Sequence, residues 1–366
     1  MRQRYTFGFI MAPMSWAERF LVTGGAGFIG SGFLQEFVPK YPTILFVCID
    51  KLSYASKHCL RNIENLSELP NFKFVKTDLA NYECEDLDSI FAWDDDLGCS
   101  PLTVVNFAAE TSVDRLFKDP AFFLLNNSML TSNLLDRCRK LIELDAPKVN
   151  FHKVKFIHIS TDEVYGETED FVDEGATLTP SNPYSALKVA CDMQVLAYNK
   201  SYKVPAVILR PNNVYGPNQH PEKIIPMTIS RLSAGKSVTL HGDGSNKRSF
   251  LHVSDFVNAI ELVWKRFDTN RINGEIFNIG TKNEISNHDL VKLVAISMNM
   301  WDSGNCLEYI PDRRYNDRQY RILSSKIEKL GWKPVIEFAE GLKKVIKGEQ
   351  EILKLLTQDF HHALVK

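Results

Sequence analysis

The sequence predicts an α/β fold: one doubly wound parallel sheet followed by a smaller C-terminal α/β lobe. Three observations carry this. Short, nearly continuous apolar runs recur over residues 19–209, as in strands covered on both faces. Stretches with helical patterning separate them, giving the strand–helix alternation of a parallel sheet. After Arg210 the texture changes, with Pro, Asn and Gly clustered over residues 211–226.

Residues 19–23 read as a first buried strand, running into a glycine-rich turn at 24–30 and a helix starting near Ser31. Residues 44–50 are a second apolar run ending in Asp50. A short third, 72–75, is followed by Asp78. The fourth, 103–107, is followed by Ala108, Ala109 and Glu110. Residues 121–142 carry apolar positions at helical spacing. The fifth run, 154–159, closes at Ser160-Thr161-Asp162-Glu163. A helix follows from about Tyr184, then a sixth strand at 206–209. Beyond it, short strands and helices are expected over 249–252, 253–266, 275–279 and 287–298. The expected division is an unstructured extension at 1–17, a sheet domain at 18–210 and a second lobe at 211–350. Some strands of that lobe could return to the main sheet. Residues 351–366 form a terminal helix or tail.

The totals exclude several classes. With 366 residues, 44% hydrophobic and 24% charged, the chain can bury a large core. A formal net charge of -2 gives no reason to expect nucleic acid or an anionic membrane as partner. No apolar run approaches the roughly 20 residues of a membrane span. The seven cysteines (48, 59, 84, 99, 138, 191 and 306) are scattered and form no Cys-x-x-Cys, which fits a reducing, cytoplasmic setting. The opening residues carry Arg2 and Arg4, and their apolar patch is broken by Gly8 and Pro13, which disfavours a targeting peptide. The run Asp94-Asp95-Asp96 reads as a solvated loop. His241 and His252 have no partner at metal-ligand spacing, so no metal is expected.

Gly24-x-x-Gly27-x-x-Gly30 stands between strand and helix. Small residues let the backbone turn tightly and approach a pyrophosphate, whose charge faces the helix N-terminus. Asp50 ends the second strand, twenty residues past Gly30. There an acid hydrogen-bonds the adenosine ribose and repels the 2′-phosphate of NADP. The reading is a Rossmann-type domain that binds NAD. Asp78 is either an adenine contact or a loop aspartate.

Tyr184 and Lys188 lie at i and i+4, on one helix face. A nearby ammonium favours the phenolate, so the pair is expected to lower the tyrosine pKa and take a proton from a substrate alcohol. Thr161, at the strand end, can hydrogen-bond that alcohol. Arg248 and Arg313 suit paired phosphate oxygens, unless they are simply solvated. Gly242 and Gly244 read as a tight turn that positions Arg248.

These residues carry a resemblance. Thr23-Gly24-Gly25-Ala26-Gly27-Phe28-Ile29-Gly30 with Tyr184-x-x-x-Lys188 resembles the extended short-chain dehydrogenase/reductase superfamily. Ser160-Thr161-Asp162-Glu163-Val164-Tyr165-Gly166 resembles the nucleotide-diphosphate-glucose 4,6-dehydratases. The likeness continues through Pro180-x-Asn182-Pro183-Tyr184-Ser185, Asn213-Val214-Tyr215-Gly216-Pro217 and Pro221-Glu222-Lys223. It extends through His241-Gly242-Asp243-Gly244 with Arg248 and Asp312-Arg313 with Asn316-Asp317-x-x-Tyr320, and so covers about residues 20–341.

The resemblance implies a mechanism. Tyr184, helped by Lys188 and Thr161, removes the 4-hydroxyl proton while hydride passes from C4 to NAD. The 4-ketone acidifies C5. Glu163 takes that proton, Asp162 protonates the departing 6-hydroxyl, and hydride returns to C6. One acid must be protonated while its neighbour is ionised. The resemblance also implies that Phe28, Ile29, Ala108, Ala109 and Asn127 serve the cofactor side. Asn213, Glu222 and Lys223 would line the pyrophosphate and sugar pocket, and Asn316 would lie near the base or its ribose. A homodimer is implied, through a bundle of the 121–142 and 184–202 helices.

Three positions depart from the family pattern. Ser112 stands for a histidine and Leu116 for a serine, both expected on the wall near nicotinamide and sugar. Leu130 replaces a glycine. The adjacent acids argue against a 4-epimerase or a decarboxylase, and intact Thr161, Tyr184 and Lys188 argue against a catalytically silent NAD-binding protein. Asn316-Asp317 and Gly216-Pro217-Asn218-Gln219 look more like eukaryotic members, including UDP-glucose enzymes of rhamnose synthesis, than like bacterial dTDP-glucose enzymes.

Overall fold

A computed structural model describes residues 16–53, 61–81, 85–92, 101–116, 118–145, 154–267, 272–302, 306–313 and 315–364. The expectation for residues 1–17 therefore falls almost wholly outside the described residues, as does the acidic run 94–96.

The chain runs β1 (Glu18–Thr23), α1 (Phe28–Lys40), β2 (Ile44–Asp50), a short α2 (Arg61–Glu64), β3 (Phe72–Lys76), α3 (Glu85–Ala92), β4 (Leu102–Asn106), a short α4 (Val113–Leu116), α5 (Pro120–Asp145) and β5 (Val154–Ile159). It continues through α6 (Pro183–Tyr202), β6 (Ala206–Pro211), β7 (Asn213–Tyr215), α7 (Ile224–Ser233), β8 (Val238–His241), β9 (Lys247–His252), α8 (Val253–Phe267), β10 (Ile276–Ile279) and β11 (Glu284–Ser286). Then come α9 (Asn287–Ser297), β12 (Leu307–Ile310), a short α10 (Ser325–Glu328) and α11 (Phe338–Leu364).

Seven parallel strands form the main sheet, in the order β10-β6-β5-β4-β1-β2-β3. The order reverses between β1 and β4, which opens a crevice at the carboxyl ends of the strands. Side-chain alternation on β1 sorts the core. Phe20 and Val22 join Phe33, Phe37 and Trp264 on the face covered by α1 and α8. Leu21 joins Val47, Leu134 and Val195 on the face covered by α5 and α6. A separate cluster, including Ile225, Leu240, Leu290 and Leu342, holds the second lobe together.

β10 lies beside β6, so the chain re-enters the main sheet after leaving it at Pro211. The second lobe carries two small sheets, β11-β9-β7 and β12-β8. Helix α1 begins at Phe28, three residues before the expected Ser31. Gly27 is its N-cap, and the first bond of the helix runs from Ser31 N–H to the Gly27 carbonyl. Residues 351–364 belong to α11. Cys48, Cys138, Cys191 and Cys306 are buried free thiols.

Candidate active site

One cavity of about 550 Å³ runs from the glycine turn, across the ends of β4 and β5, to the second lobe. Gly24, Gly27, Phe28, Ile29, Gly30, Asp50, Asp78, Ala108 and Ala109 line one end. The turn requires glycine at Gly24. Its φ is +65°, and a Cβ there would sit 2.7 Å from the Ala108 backbone. Helix α1 has no side-chain cap at Gly27 and no acid in its first turn, so its N-terminal N–H groups face the cavity free of a competing anion. The Asp50 carboxylate accepts from Ala26 N–H (3.2 Å) and Leu52 N–H (2.8 Å), which ties the turn to the end of β2. Asp78 accepts from Ala80 N–H (3.0 Å), so it shapes its loop while also lining the cavity.

Asn127 does not line the cavity. From α5 it grips the Glu110 backbone at both ends: its side-chain oxygen accepts from Glu110 N–H (2.9 Å) and its amide donates to the Glu110 carbonyl (3.1 Å). The cavity-facing asparagine is its neighbour Asn126, whose oxygen accepts from Lys51 Nζ (2.6 Å). Leu130 reaches the cavity from the next turn of α5.

Thr161, Asp162 and Glu163 sit on a 3-10 turn that follows β5. Thr161 is its N-cap, accepting from Glu163 N–H, and Gly166 leaves it with φ +69°. Thr161 and Glu163 line the cavity. Asp162 is buried and turned aside. One carboxyl oxygen accepts from Asn212 Nδ2 (2.8 Å), and the other accepts from the Thr161 hydroxyl (3.3 Å). Helix α6 starts with a capping box between Asn182 and Ser185 and with Pro183 in its first turn. This fixes Tyr184 and Lys188 at the cavity wall, and the Lys188 ammonium donates to the Ile159 carbonyl at 2.7 Å.

Burial dominates the electrostatics. It raises Asp162 to about 7, an effect that the Glu163 charge adds to and the Asn212 hydrogen bond opposes. Burial also raises Glu163, while Arg248, Asn182 and Lys223 pull it down. The expected lowering of the Tyr184 pKa is not what the protein alone does. Burial, then Glu163 and Asp162, push the phenol upward, and burial lowers Lys188. The Tyr–Lys spacing carries no information about the two acids that the fold sets beside the phenol.

The far end of the cavity is lined by Asn213, Glu222, Lys223, Arg248, Arg313, Asn316 and Tyr320. Arg248 lies over the Tyr320 ring, 4.6 Å from its centroid, and donates to the Asp317 carbonyl (3.0 Å). Asn316 donates to Asp312 (3.0 Å). Asp317 accepts from Ser181 and Tyr320 hydroxyls.

The two wall departures separate. Ser112 lines the cavity, and its hydroxyl donates to Glu222 at 3.2 Å, joining the loop after β4 to the loop before α7. Leu116 is not on the wall. It is buried behind Tyr184 with Phe123, Leu187 and Cys191, because α4 turns it toward α6. Asn212 and Asn126, which the sequence reading passed over, are ordinary loop or helix residues until the fold sets them against Asp162 and the cavity.

The GDP-mannose 4,6 dehydratase family model matches residues 21–345. A trifunctional UDP-glucose 4,6-dehydratase/UDP-4-keto-6-deoxy-D-glucose 3,5-epimerase/UDP-4-keto-L-rhamnose-reductase of Arabidopsis thaliana is 39% identical over 90% of this chain; the match spans 46% of that longer protein. The dTDP-D-glucose 4,6-dehydratase of Homo sapiens is 36% identical, over 93% of this chain and 92% of the relative. The crystal structure of a dTDP-glucose 4,6-dehydratase from Streptomyces venezuelae with NAD bound superposes with a TM-score of 0.79 at 32% identity, over 91% of this chain and 97% of the other. On this match the chain belongs to the GDP-mannose 4,6 dehydratase family, within the extended short-chain dehydrogenase/reductases.

Proposed function

We propose that this protein is an NAD-dependent 4,6-dehydratase that converts UDP-glucose or dTDP-glucose to the 4-keto-6-deoxy sugar nucleotide and water. The observation that carries the reading is that Thr161 and Glu163 line one cavity with Tyr184 and Lys188, with Asp162 buried behind them on the same turn. Relatives named for this reaction support it.

Gly24, Gly27, Phe28, Ile29 and Gly30 hold the pyrophosphate side of NAD, Asp50 the adenosine ribose, and Asp78, Ala108 and Ala109 the adjoining wall. Asn127 acts on the cofactor side through the Glu110 backbone. NAD, when bound, supplies hydride acceptance and return, and its oxidised ring adds a positive charge to the cavity. Tyr184 accepts the 4-hydroxyl proton, and Thr161 and Lys188 orient the alcohol and the phenolate. Glu163 removes the C5 proton and gives it back to C5 once hydride has been returned to C6. Asp162 gives its proton to the departing 6-hydroxyl; a pKa of about 7 keeps half of it protonated at neutral pH. Arg248 and Arg313 pair with the diphosphate, with Asn213, Glu222, Lys223 and Asn316 around the sugar, ribose and base. A 4-epimerase would leave the Asp162 proton without a use.

Uracil and thymine differ by one methyl, worth only about 1–3 kcal/mol in an apolar pocket, so both nucleotides are substrates to test. UDP-glucose and rhamnose formation are the finer reading, supported by the plant relative. The chain works in the cytoplasm as a homodimer, joined through the exposed apolar residues of α5 and α6. Incubation of NAD-loaded protein with each sugar nucleotide should yield a product lighter by one water. Unchanged substrate from both, with folded protein, overturns the reading.

A further inference from the structure

Below the cavity lies a buried polar strut that the reaction itself does not use. Arg210, on β6, is 1% exposed. Its guanidinium donates to one oxygen of Asp192 at 2.9 and 3.0 Å. It also donates to the Tyr165 hydroxyl at 2.8 Å, and it lies 5.0 Å from the centroid of that ring. The Tyr165 hydroxyl in turn donates to Asn278 on β10 (2.8 Å). Each end of the strut reaches a reacting group. Tyr165 is the last residue of the 3-10 turn that carries Asp162 and Glu163. Asp192 lies one helical turn beyond Lys188 on α6, as Lys188 lies one turn beyond Tyr184.

We propose that Tyr165 and Arg210 are positioning residues that fix the acid turn in register with the Tyr184–Lys188 helix, so that elimination can follow oxidation without movement of the sugar. Stability alone does not account for the strut. Taking an arginine and an aspartate out of water is expensive, and well-packed apolar residues of similar volume often hold a core as firmly. What the ion pair and phenol add is direction. The Arg210 fork admits Asp192 and the Tyr165 oxygen in one geometry. Among the described residues, Arg210 and Asn278 are the side chains that hydrogen-bond the Tyr165 hydroxyl. The turn is also held through its backbone, by Gly166 N–H to the Glu163 carbonyl (3.0 Å) and the Thr179 hydroxyl to the Tyr165 carbonyl (2.5 Å), and at its acids, by Asn212 on Asp162 (2.8 Å) and Asn182 on Glu163 (3.5 Å).

The inference rests on the dehydratase reading, and its test separates the two. Tyr165→Phe keeps the ring and removes both hydrogen bonds of the hydroxyl. In single turnovers of the NAD-loaded protein with UDP-glucose or dTDP-glucose, reduced-nicotinamide absorbance should rise at the wild-type rate. Its decay should slow by about tenfold or more, the effect of losing a hydrogen bond to a charged group. A purely structural role would lower both phases together, or the melting temperature alone, and would overturn the proposal. If Tyr165→Phe does not fold, Asn278→Ala removes the acceptor of the same hydroxyl. It should slow the decay phase severalfold, and an unchanged ratio of the two phases counts against the strut. Absence of any reduced nicotinamide or product with the wild type would sink the dehydratase reading instead.

Discussion

At the scale of single residues, Asp162 carries the sharpest consequences. Replacing it with Asn removes the acid but keeps a partner for Asn212. Water loss should slow by roughly 10²- to 10⁴-fold, with the first oxidation largely kept, so that reduced nicotinamide accumulates. Equal slowing of both steps contradicts the assignment. The pH dependence has a definite sign. Asp162 works protonated, so the elimination rate of the wild type should fall as pH rises through about 7. The same shift bears on stability. A folded pKa above the ordinary aspartate value of about 3.9 means that the neutral form stabilises the fold below that value and the contribution is lost as pH rises through about 7. Asp162→Asn should therefore melt higher than wild type above pH ~7 and gain nothing near pH ~4; a pH-independent difference would argue against the buried charge. Ser112→Ala should take one hydrogen-bond donor from Glu222. KM for the sugar nucleotide should rise by about tenfold with kcat little changed, since one hydrogen bond to a charged group is lost. A change confined to kcat would place Ser112 in the chemistry instead. The motifs led to Tyr184, Lys188 and Glu163, which line the cavity, but carried no sign that Asp162 turns away from it toward Asn212. Leu116 was misplaced because spacing along α4 does not tell which way a four-residue helix turns.

At the scale of elements, the glycine turn and the acid turn follow the same logic. Each closes a buried strand and is released by a residue at positive φ, Gly24 in one and Gly166 in the other. Gly24→Val should abolish the rise in melting temperature that NAD gives the wild type, because its Cβ meets the Ala108 backbone at 2.7 Å. Retained NAD stabilisation would mean the turn is not the pyrophosphate cradle. The six strands of the first 211 residues could be read in order because each is a short, largely apolar run, although Lys73 interrupts β3 and Lys155 and His158 interrupt β5. The return of β10 to the edge of the sheet left only a faint trace: Ile276–Ile279 is four residues long, and β7, β8 and β9, which belong to other sheets, come between it and β6 in the chain. The early start of α1 was hidden because glycine caps that helix through its backbone, with no side chain to announce it.

At the scale of the molecule, α5 and α6 pack on each other and leave Phe122, Leu124, Leu125, Met129, Met193 and Tyr202 exposed. Sequence periodicity showed these helices to be apolar but not which face stays uncovered. Leu125 is 64% exposed, so for the homodimer proposed above Leu125→Glu should leave the fold intact and shift the protein from dimer to monomer in light scattering at micromolar concentration. A dimer unaffected by this charge would move the interface elsewhere. On the proposed function, one site first oxidises C4 and then eliminates water across C5 and C6. UDP-glucose or dTDP-glucose carrying deuterium at C4 tests it most directly, with the label located in the product by mass spectrometry and NMR. The expected product is a 4-keto-6-deoxy sugar with the deuterium in its C6 methyl group. Deuterium retained at C4, in unchanged substrate or its epimer, would contradict it.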